Sequence, residues 1–191
     1  MSTYLELCQN MARDIGIPGT GPSDVAASDL SEEENAVVRY VKQADVDIQS
    51  RWFNWNFLWT EVTFTPVVDT STLTSPSNVG NWKLDSFVFS KGTDAYQELE
   101  YMDWDDYNLE YKLGVITSAT PEVFSVKPDN VIDVYPTPNA TTSISAAYWK
   151  TPTEMSLDAS VSPIPSRFHK IITARAKIYY AEAEDAPEIL A

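Results

Sequence analysis

The spacing of apolar residues predicts two helices at the start of the chain. From Thr3 to about Ile15, apolar residues recur every three or four positions, which is the period of one helix face. A second helix is predicted to begin after Ser31, because Ser31 and Glu34 form a capping-box pattern, and to run to about Arg51 or Phe53. The apolar positions are Leu5, Cys8, Met11, Ala12 and Ile15 in the first helix and Val37, Val41, Ala44 and Ile48 in the second.

A dense aromatic segment, from Asp47 to Trp59, closes the second helix and precedes a change of hydrophobic period from helix to strand. Each buried aromatic side chain removes about 150–250 Å² from water, so we expect the segment to be packed as a structural hinge between a helical part and a β part. The alternative is that Trp52 and Trp55 are exposed and bind a ligand or a partner. The predicted hinge residues are Ile48, Arg51, Trp52, Trp55, Phe57 and Leu58.

The middle of the chain alternates apolar and polar residues from Thr60 onward, as half-buried strands do. The predicted strands span residues 60–64, 82–89, 97–101, 122–126, 131–135 and 141–150, of which the last is the longest. Residues 69–81, rich in Ser, Thr and Asn, are predicted to form a loop, and Asp103 to cap a short helix through Asp106 to Tyr111. Short strands separated by turn residues favour a small antiparallel sandwich over a parallel sheet.

The end of the chain is predicted to return to helix after an extended connector, residues 151–165, which carries three prolines. The packing face of this closing helix is predicted to be Phe168, Ile171, Ile172, Ile178 and Tyr179. We therefore expect an α+β fold. An N-terminal helical hairpin and a C-terminal helix form a helical body, and an antiparallel β-sandwich-like domain is inserted. The expected domains are residues 1–59, residues 60–150, and the linker and closing helix of residues 151–191, which pack on the helical part.

Charge and composition narrow the class of protein. The chain has 13 Lys and Arg against 28 Asp and Glu, a net charge of -15. Such a surface repels phosphate, which disfavours a role in binding DNA through a basic groove or in binding anionic membranes. No window approaches the roughly 20 apolar residues of a membrane span, and the first residues lack the apolar core of a signal peptide. With Cys8 as the single cysteine, no internal disulfide is expected, and synthesis inside a cell fits these features.

Candidate catalytic residues are sparse. The single histidine, His169, is expected to be structural or solvated, and Cys8, on the apolar side of the first helix, to be an inert buried thiol. Asp103, Asp105 and Asp106 carry oxygen ligands suited to calcium, yet they lack the spacing of a calcium loop, and helix capping explains them better. We therefore expect no catalytic site, no bound metal and no cofactor. The alternative is a carboxylate pair for glycoside hydrolysis among the 28 Asp and Glu residues.

Several stretches together resemble a known family. They are Tyr4-Leu5-Glu6-Leu7, Gly19-Thr20-Gly21-Pro22, residues 46–51 with Trp55-x-Phe57-Leu58, residues 132–138, Tyr148-Trp149-Lys150-x-Pro152, and Pro163-x-Pro165-x-x-Phe168-His169-x-x-Ile172. The chain resembles the head-to-tail adaptor (connector) proteins of tailed bacteriophages over nearly its whole length. The resemblance rests on packing and turn residues, since none of these stretches carries a catalytic motif.

The resemblance implies a structural virion protein made in the host cytoplasm and located in the neck, between capsid and tail. Such proteins form a ring, commonly of twelve copies, which docks under the portal and carries tail or nozzle proteins on its distal face. The resemblance also implies a conduit through which double-stranded DNA passes without specific binding. The excess of acidic residues suggests that the lumen of this conduit repels phosphates. No membrane partner is expected.

Two sets of residues are candidates for contacts in such a ring. Arg167, Lys170, Arg175 and Lys177 lie on the closing helix of an otherwise acidic chain. They are expected to meet carboxylates of an adjacent subunit or of the portal; the alternative is that they offset acids of their own chain. The tail from Ala181 to Ala191 is expected to order on the portal, with Ile189 and Leu190 as apolar anchors.

The main alternative function is a carbohydrate- or receptor-binding module of the tail, built on the β-sandwich. Trp82, Trp104, Tyr107 and Tyr111 could then stack on sugars, provided that the rings lie exposed along one flat groove. A third possibility, a hydrolase of the host envelope, requires an acid pair in a cleft.

Overall fold

A computed structural model of the chain describes residues 1–90, 95–114 and 117–186. The chain falls into two compact units, which we call the helical unit, Met1–Phe57 with Pro152–Ala191, and the β unit, Leu58–Thr151. The longer helices lie in the helical unit, and the mainly antiparallel sheets lie in the β unit together with the short helix α3 (Trp104–Tyr107), which confirms the predicted α+β class.

The first two helices each begin with a capping box. Helix α1 (Tyr4–Asp14) is capped by Thr3, whose hydroxyl accepts a hydrogen bond from the Glu6 amide at 3.2 Å. Helix α2 (Glu32–Ser50) is capped by Ser31, which accepts from the Glu34 amide at 3.2 Å, while the Glu34 carboxylate accepts from the Ser31 amide at 3.0 Å. The predicted start of α2 is confirmed, and its end at Ser50 lies within three residues of the prediction.

The closing helix is entered through a 3₁₀ turn (Ser166–Phe168), continues as α4 (His169–Ala183), and presents a different face to the core than predicted. Ile172 is buried and Tyr179 is partly buried against the core, but Phe168 and Ile171 are exposed. The remaining buried positions of α4 are His169, Thr173, Ala176 and Ala181. The predicted face was wrong at Phe168 and Ile171 because apolar residues lie on more than one side of the closing helix, and the side that packs into the core is the one with Ile172 and Ala176.

The core of the helical unit lies between α1, α2 and α4. Val37, Val41 and Ala44 are fully buried, which confirms the predicted stripe of α2, and Ile48 packs against the same cluster. In α1, Leu5 was predicted to lie on the buried face, but Leu7 is the buried leucine and Leu5 is only partly buried. The buried apolar residues of this core are Tyr4, Leu7, Cys8, Met11, Ala12, Val37, Val41, Ala44, Met155, Ile164, Ile172 and Ala176.

The β unit contains two four-stranded sheets within the described residues. The strands are β1 (Trp59–Phe64), β2 (Thr72–Leu73), β3 (Val79–Ser90), β4 (Tyr96–Glu98), β5 (Glu100–Tyr101), β6 (Ser118–Ala119), β7 (Val123–Val126), β8 (Ile132–Tyr135), β9 (Thr137–Pro138) and β10 (Ile144–Lys150). One sheet has the order β1-β10-β3-β4 and the other the order β2-β8-β7-β5, with a smaller pair, β6-β9. Pairing is antiparallel except for β5 with β7 and β6 with β9.

Two details of the strand prediction were wrong. The longest strand is β3, with 12 residues, whereas β10 has 7. Part of the predicted loop 69–81 is strand, because β2 pairs with β8 and the start of β3 pairs with β10. Both errors concern segments whose strand geometry is stabilised by distant pairing, which polar local composition does not reveal.

Aromatic side chains join the two larger sheets. The rings of Phe87 on β3 and Phe124 on β7 stack with their centroids 3.9 Å apart. Trp82 packs beside them, with its ring 5.4 Å from that of Phe87 and 5.2 Å from that of Tyr148. The β core is therefore a layer between facing sheets, as the sandwich prediction requires.

Candidate subunit interface

An apolar groove of about 650 Å³ opens on the surface of the helical unit. We call the following lining residues the apolar groove: Trp52, Trp55, Phe57, Ile164, Phe168 and Ile171. Trp52 is 58 % exposed and Ile171 is 52 % exposed in the chain. Large apolar side chains exposed together mark a surface that binds a partner or a ligand.

The groove forms because the segment after α2 does not pack as a buried hinge. After Ser50 the chain passes through turns, so its aromatic side chains have no regular period to direct them inward. Phe57 packs against the helical core, while Trp55 donates a hydrogen bond from Nε1 to the Ile48 carbonyl at 3.3 Å. Trp52 and Phe53 stack on each other and stay exposed.

The six predicted hinge residues therefore have different environments. Ile48 and Phe57 pack against the helical core, and Leu58 is buried at the start of the β unit. Arg51 is exposed and pairs with Asp47 at 3.4 Å. Trp52 and Trp55 line the groove, so the prediction that the aromatic segment is buried was wrong for these two side chains. Their exposure agrees with the alternative, a partner-binding surface.

The predicted interface cations separate into two pairs. Arg175 Nε lies 3.2 Å from Asp47 Oδ2, and its guanidinium lies over the Tyr179 ring at 4.7 Å. Lys177 Nζ lies 2.6 Å from Asp14 Oδ2. These two cations offset acids of their own unit, as the alternative interpretation has it. A cation that is already paired within its own unit gains less from a new ion pair with a partner.

Arg167 and Lys170 differ from the first pair. Neither has an ion pair within residues 1–90, 95–114 and 117–186, and both side chains are exposed. The Arg167 guanidinium lies 4.7 Å above the Phe168 ring, at the edge of the apolar groove. Both residues also line a more polar groove of about 680 Å³ beside α4, together with Asp14. They place positive charge next to the apolar groove.

The remaining interface predictions concern the tail. Ile189 and Leu190 lie outside the described residues. Ala181 is buried within α4, which continues to Ala183, so the prediction that a tail begins at Ala181 was wrong.

The candidate chemical groups are buried or serve structural roles. Burial raises the pKa of the Cys8 thiol to about 12, with a smaller contribution from Asp158, so the nucleophilic thiolate is scarce at neutral pH. His169 is buried and its Nε2 lies 2.8 Å from the Ile164 carbonyl. The Asp103 carboxylate accepts from the Asp105 amide at 3.1 Å, which confirms it as a cap.

Neither a metal cluster nor a membrane span is found in the described part of the chain. No group of three or more His, Cys, Asp or Glu there is arranged to hold a metal ion. None of the helices there is both long enough and apolar enough to cross a bilayer.

The rings proposed for sugar binding do not form an exposed platform. Trp82 and Tyr107 are buried, Trp82 inside the β core and Tyr107 as the last residue of the short helix α3 (Trp104–Tyr107). Tyr111 stacks on Tyr135 with ring centroids 4.3 Å apart, and Trp104 stacks on Tyr107 at 5.9 Å. The condition set for the carbohydrate-binding alternative is therefore not met by these four residues.

The same helix carries an exposed feature that the sequence analysis missed. After α3 the helix continues as a π-helical turn (Asn108–Lys112), and Leu109 and Leu113 are 71 % and 74 % exposed. We call these two side chains the leucine ridge. A spacing of four residues places them on one face, a signal that was present in the sequence.

Comparison with known proteins agrees with an interaction surface. No curated protein matches the chain. The family model described as SU10 adaptor protein matches residues 2–191, which include both units and all the interface candidates above. A match over nearly the whole length shows membership, and the chain belongs to the SU10 adaptor protein family.

Proposed function

We propose that this phage adaptor protein forms a ring that docks under the portal, links the capsid to the tail or nozzle and forms part of the DNA conduit. The observation that carries the proposal is the exposed apolar groove in a chain that belongs to an adaptor family. A protein that works by assembly needs apolar surfaces that stay exposed to water until partners cover them.

Ring formation is supported by the asymmetry of the helical unit. The apolar groove and the side chains of Arg167 and Lys170 lie toward the start of α4, whereas the paired cations Arg175 and Lys177 lie further along it. A contact between two different surfaces of identical chains is head-to-tail, and such contacts close into a ring when the rotation per copy permits. We propose twelve copies, as the resemblance implies.

The conduit role is supported by the net charge of -15. Copies of such a chain around an axis give a negative field that repels phosphates, so DNA passes without specific binding. A structure of the assembled ring tests this point. Acidic side chains lining the lumen agree with it, and a lumen lined by Lys and Arg contradicts it.

Portal docking is proposed to involve the residues after Ala186, with Ile189 and Leu190 as anchors. Ile189 and Leu190 are adjacent aliphatic side chains, which become stabilising once a partner covers them. Removal of residues 187–191 is expected to reduce attachment of tails to filled heads. Normal attachment by the shortened chain excludes the tail as an anchor.

The central experiment measures assembly with and without the portal. The purified protein is expected to be a monomer or weak oligomer alone, and to form a ring on portal-bearing particles that electron microscopy locates in the neck. Mass measurement of the complex counts the copies. A protein that stays monomeric in the presence of its portal, or that occurs elsewhere in the virion, contradicts the proposed function.

A further inference from the structure

The leucine ridge is exposed but rigidly supported. The Asp133 carboxylate, fully buried, pairs with the Lys112 ammonium from the π-helical turn and with Lys127 Nζ at 2.8 Å. Tyr111 stacks on Tyr135. Because Tyr111 and Lys112 lie between the two leucines, these contacts hold Leu109 and Leu113 in place on the outside of the β unit.

Such support does not explain why the two leucines face water. Two leucines four residues apart form a contiguous apolar strip about one helical turn long. Burying such side chains against an apolar surface is favourable, and this free energy is unused in the single chain. π-helical turns themselves occur often at functional sites. The arrangement is that of a small anchor for a complementary apolar surface.

The charges around the leucine ridge and the apolar groove are complementary. Asp105, Asp106 and Glu110 are exposed on the helix that carries the ridge. Arg167 lies at the edge of the groove and Lys170 lies one turn further along the chain from it, both without an ion pair among the described residues. An acidic apolar ridge and a basic-edged apolar groove attract each other, which is unusual between copies of a chain with net charge -15.

We propose that the leucine ridge of one copy inserts into the apolar groove of the neighbouring copy. This inference rests on the proposed ring, and it names the two surfaces that meet. Leu109 and Leu113 replace water against Trp52, Phe168 and Ile171, a helix-in-groove contact. Asp105, Asp106 and Glu110 approach Arg167 and Lys170. Because ridge and groove are different surfaces, each copy uses one of each and the contact propagates around an axis.

The size of the contact fits assembly on a template. Two leucines and a short helix cover far less than the roughly 1,200 Å² at the lower end of stable protein interfaces. The contact alone is therefore too weak to hold two copies together in dilute solution. It becomes effective when a portal holds neighbours at high local concentration.

A photo-cross-linking experiment tests the pairing directly. A benzoylphenylalanine replaces Leu113 in the full chain, and an equal mixture of isotopically light and heavy copies is assembled on portal-bearing particles before irradiation. The expected product joins the probe at position 113 of a light copy to residues 52–57 or 164–171 of a heavy copy, or the reverse. The matched control carries the probe at Leu157, which is 69 % exposed on the helical unit, and is expected not to give that product.

Substitutions measure the contribution of the contact. Leu113→Glu and Ile171→Asp are each expected to weaken ring formation on the portal by about tenfold or more, because a charge replaces a docked apolar side chain. Leu157→Glu is expected to leave ring formation unchanged. All three side chains are exposed, so the single chains are expected to fold, which circular dichroism and thermal unfolding check.

Three results would overturn the pairing: cross-links only within one copy, cross-links only to portal or tail proteins, or rings that form equally well with Leu113→Glu. If unmodified copies still form the ring under any of these results, the proposed function stands and only the pairing fails. If unmodified copies form no ring on the portal, the proposed function fails and the pairing fails with it.

Discussion

The Ser162 hydroxyl donates a hydrogen bond of 2.5 Å to the carboxylate of Asp45, 117 positions earlier in the chain. Gln49 donates to the other oxygen of Asp45 at 2.8 Å, and its own amide is held by the Thr153 backbone at 3.2 and 3.1 Å. Asp45, Gln49 and Ser162 are all buried. This network attaches the connector that follows the β unit to α2, and so helps to set the entry into α4.

Removal of the serine hydroxyl is expected to destabilise the helical unit. In Ser162→Ala, a buried carboxylate loses one of its two side-chain donors, which costs about 1–3 kcal/mol of the free energy of unfolding. Ser156→Ala, at an exposed position of the same connector, is the control and is expected to change stability by less than about 0.5 kcal/mol. Chemical denaturation measures both. Equal stability of the two variants would show that the network is not stabilising.

Asp45 is also expected to make stability depend on pH. Burial raises the pKa of Asp45 above its ordinary value, and the hydrogen bonds from Ser162 and Gln49 offset this only in part. A carboxyl whose pKa is higher in the folded state stabilises the fold most below its unfolded pKa, about 3.8, and this contribution falls as pH rises through the folded pKa.

The comparison that isolates this effect is wild type against Asp45→Asn. From about pH 4 to about pH 7, the stability of wild type relative to Asp45→Asn is expected to decrease as pH rises. Denaturation of both proteins across that range measures the difference. A difference that is constant with pH, or that increases, contradicts the raised pKa.

Asp133 is expected to show the opposite pH dependence. Burial alone raises its pKa, but hydrogen bonds from Lys112, Lys127 and Thr72 together lower it below the ordinary value. Its stabilising contribution is therefore present above about pH 3.8 and is lost as pH falls through the folded pKa. Asp133→Asn is expected to cost about 1–3 kcal/mol near neutral pH and progressively less in acid. Tryptophan fluorescence during urea unfolding measures it, and an equal cost at every pH refutes it.

The cations of α4 are expected to differ in their importance for assembly. Lys170→Glu removes a charge that has no ion pair in the described chain, so it is expected to lower ring formation on the portal with little effect on the free energy of unfolding. Lys177→Glu breaks the 2.6 Å pair with Asp14 and is expected to cost at most about 1 kcal/mol of stability, leaving assembly nearly unchanged. Native mass spectrometry of both variants with the portal separates the two roles. A larger assembly defect in Lys177→Glu would reverse this assignment.

Local sequence determined the elements whose stabilising contacts are local. The capping boxes at Thr3 and Ser31 join residues three positions apart, so their hydrogen bonds can be inferred from the order of residues alone. The stripe Val37, Val41 and Ala44 was predictable because one helix turn fixes which residues share a face. The α+β class follows from the switch between a helical and a strand period, and the Asp103 cap follows from its position before a helix.

Only the tertiary structure decided which of several possible faces is covered. Phe168 and Ile172 are equally apolar in sequence, yet α1 and α2 bury Ile172 and leave Phe168 in the groove. Arg175 pairs with Asp47, which is 128 positions away, so no spacing rule could select that acid among 28. The physical reason is that hydrophobic burial and ion pairing depend on distance in space. Sequence spacing predicts that distance within one helix or hairpin and not between elements that meet only after folding.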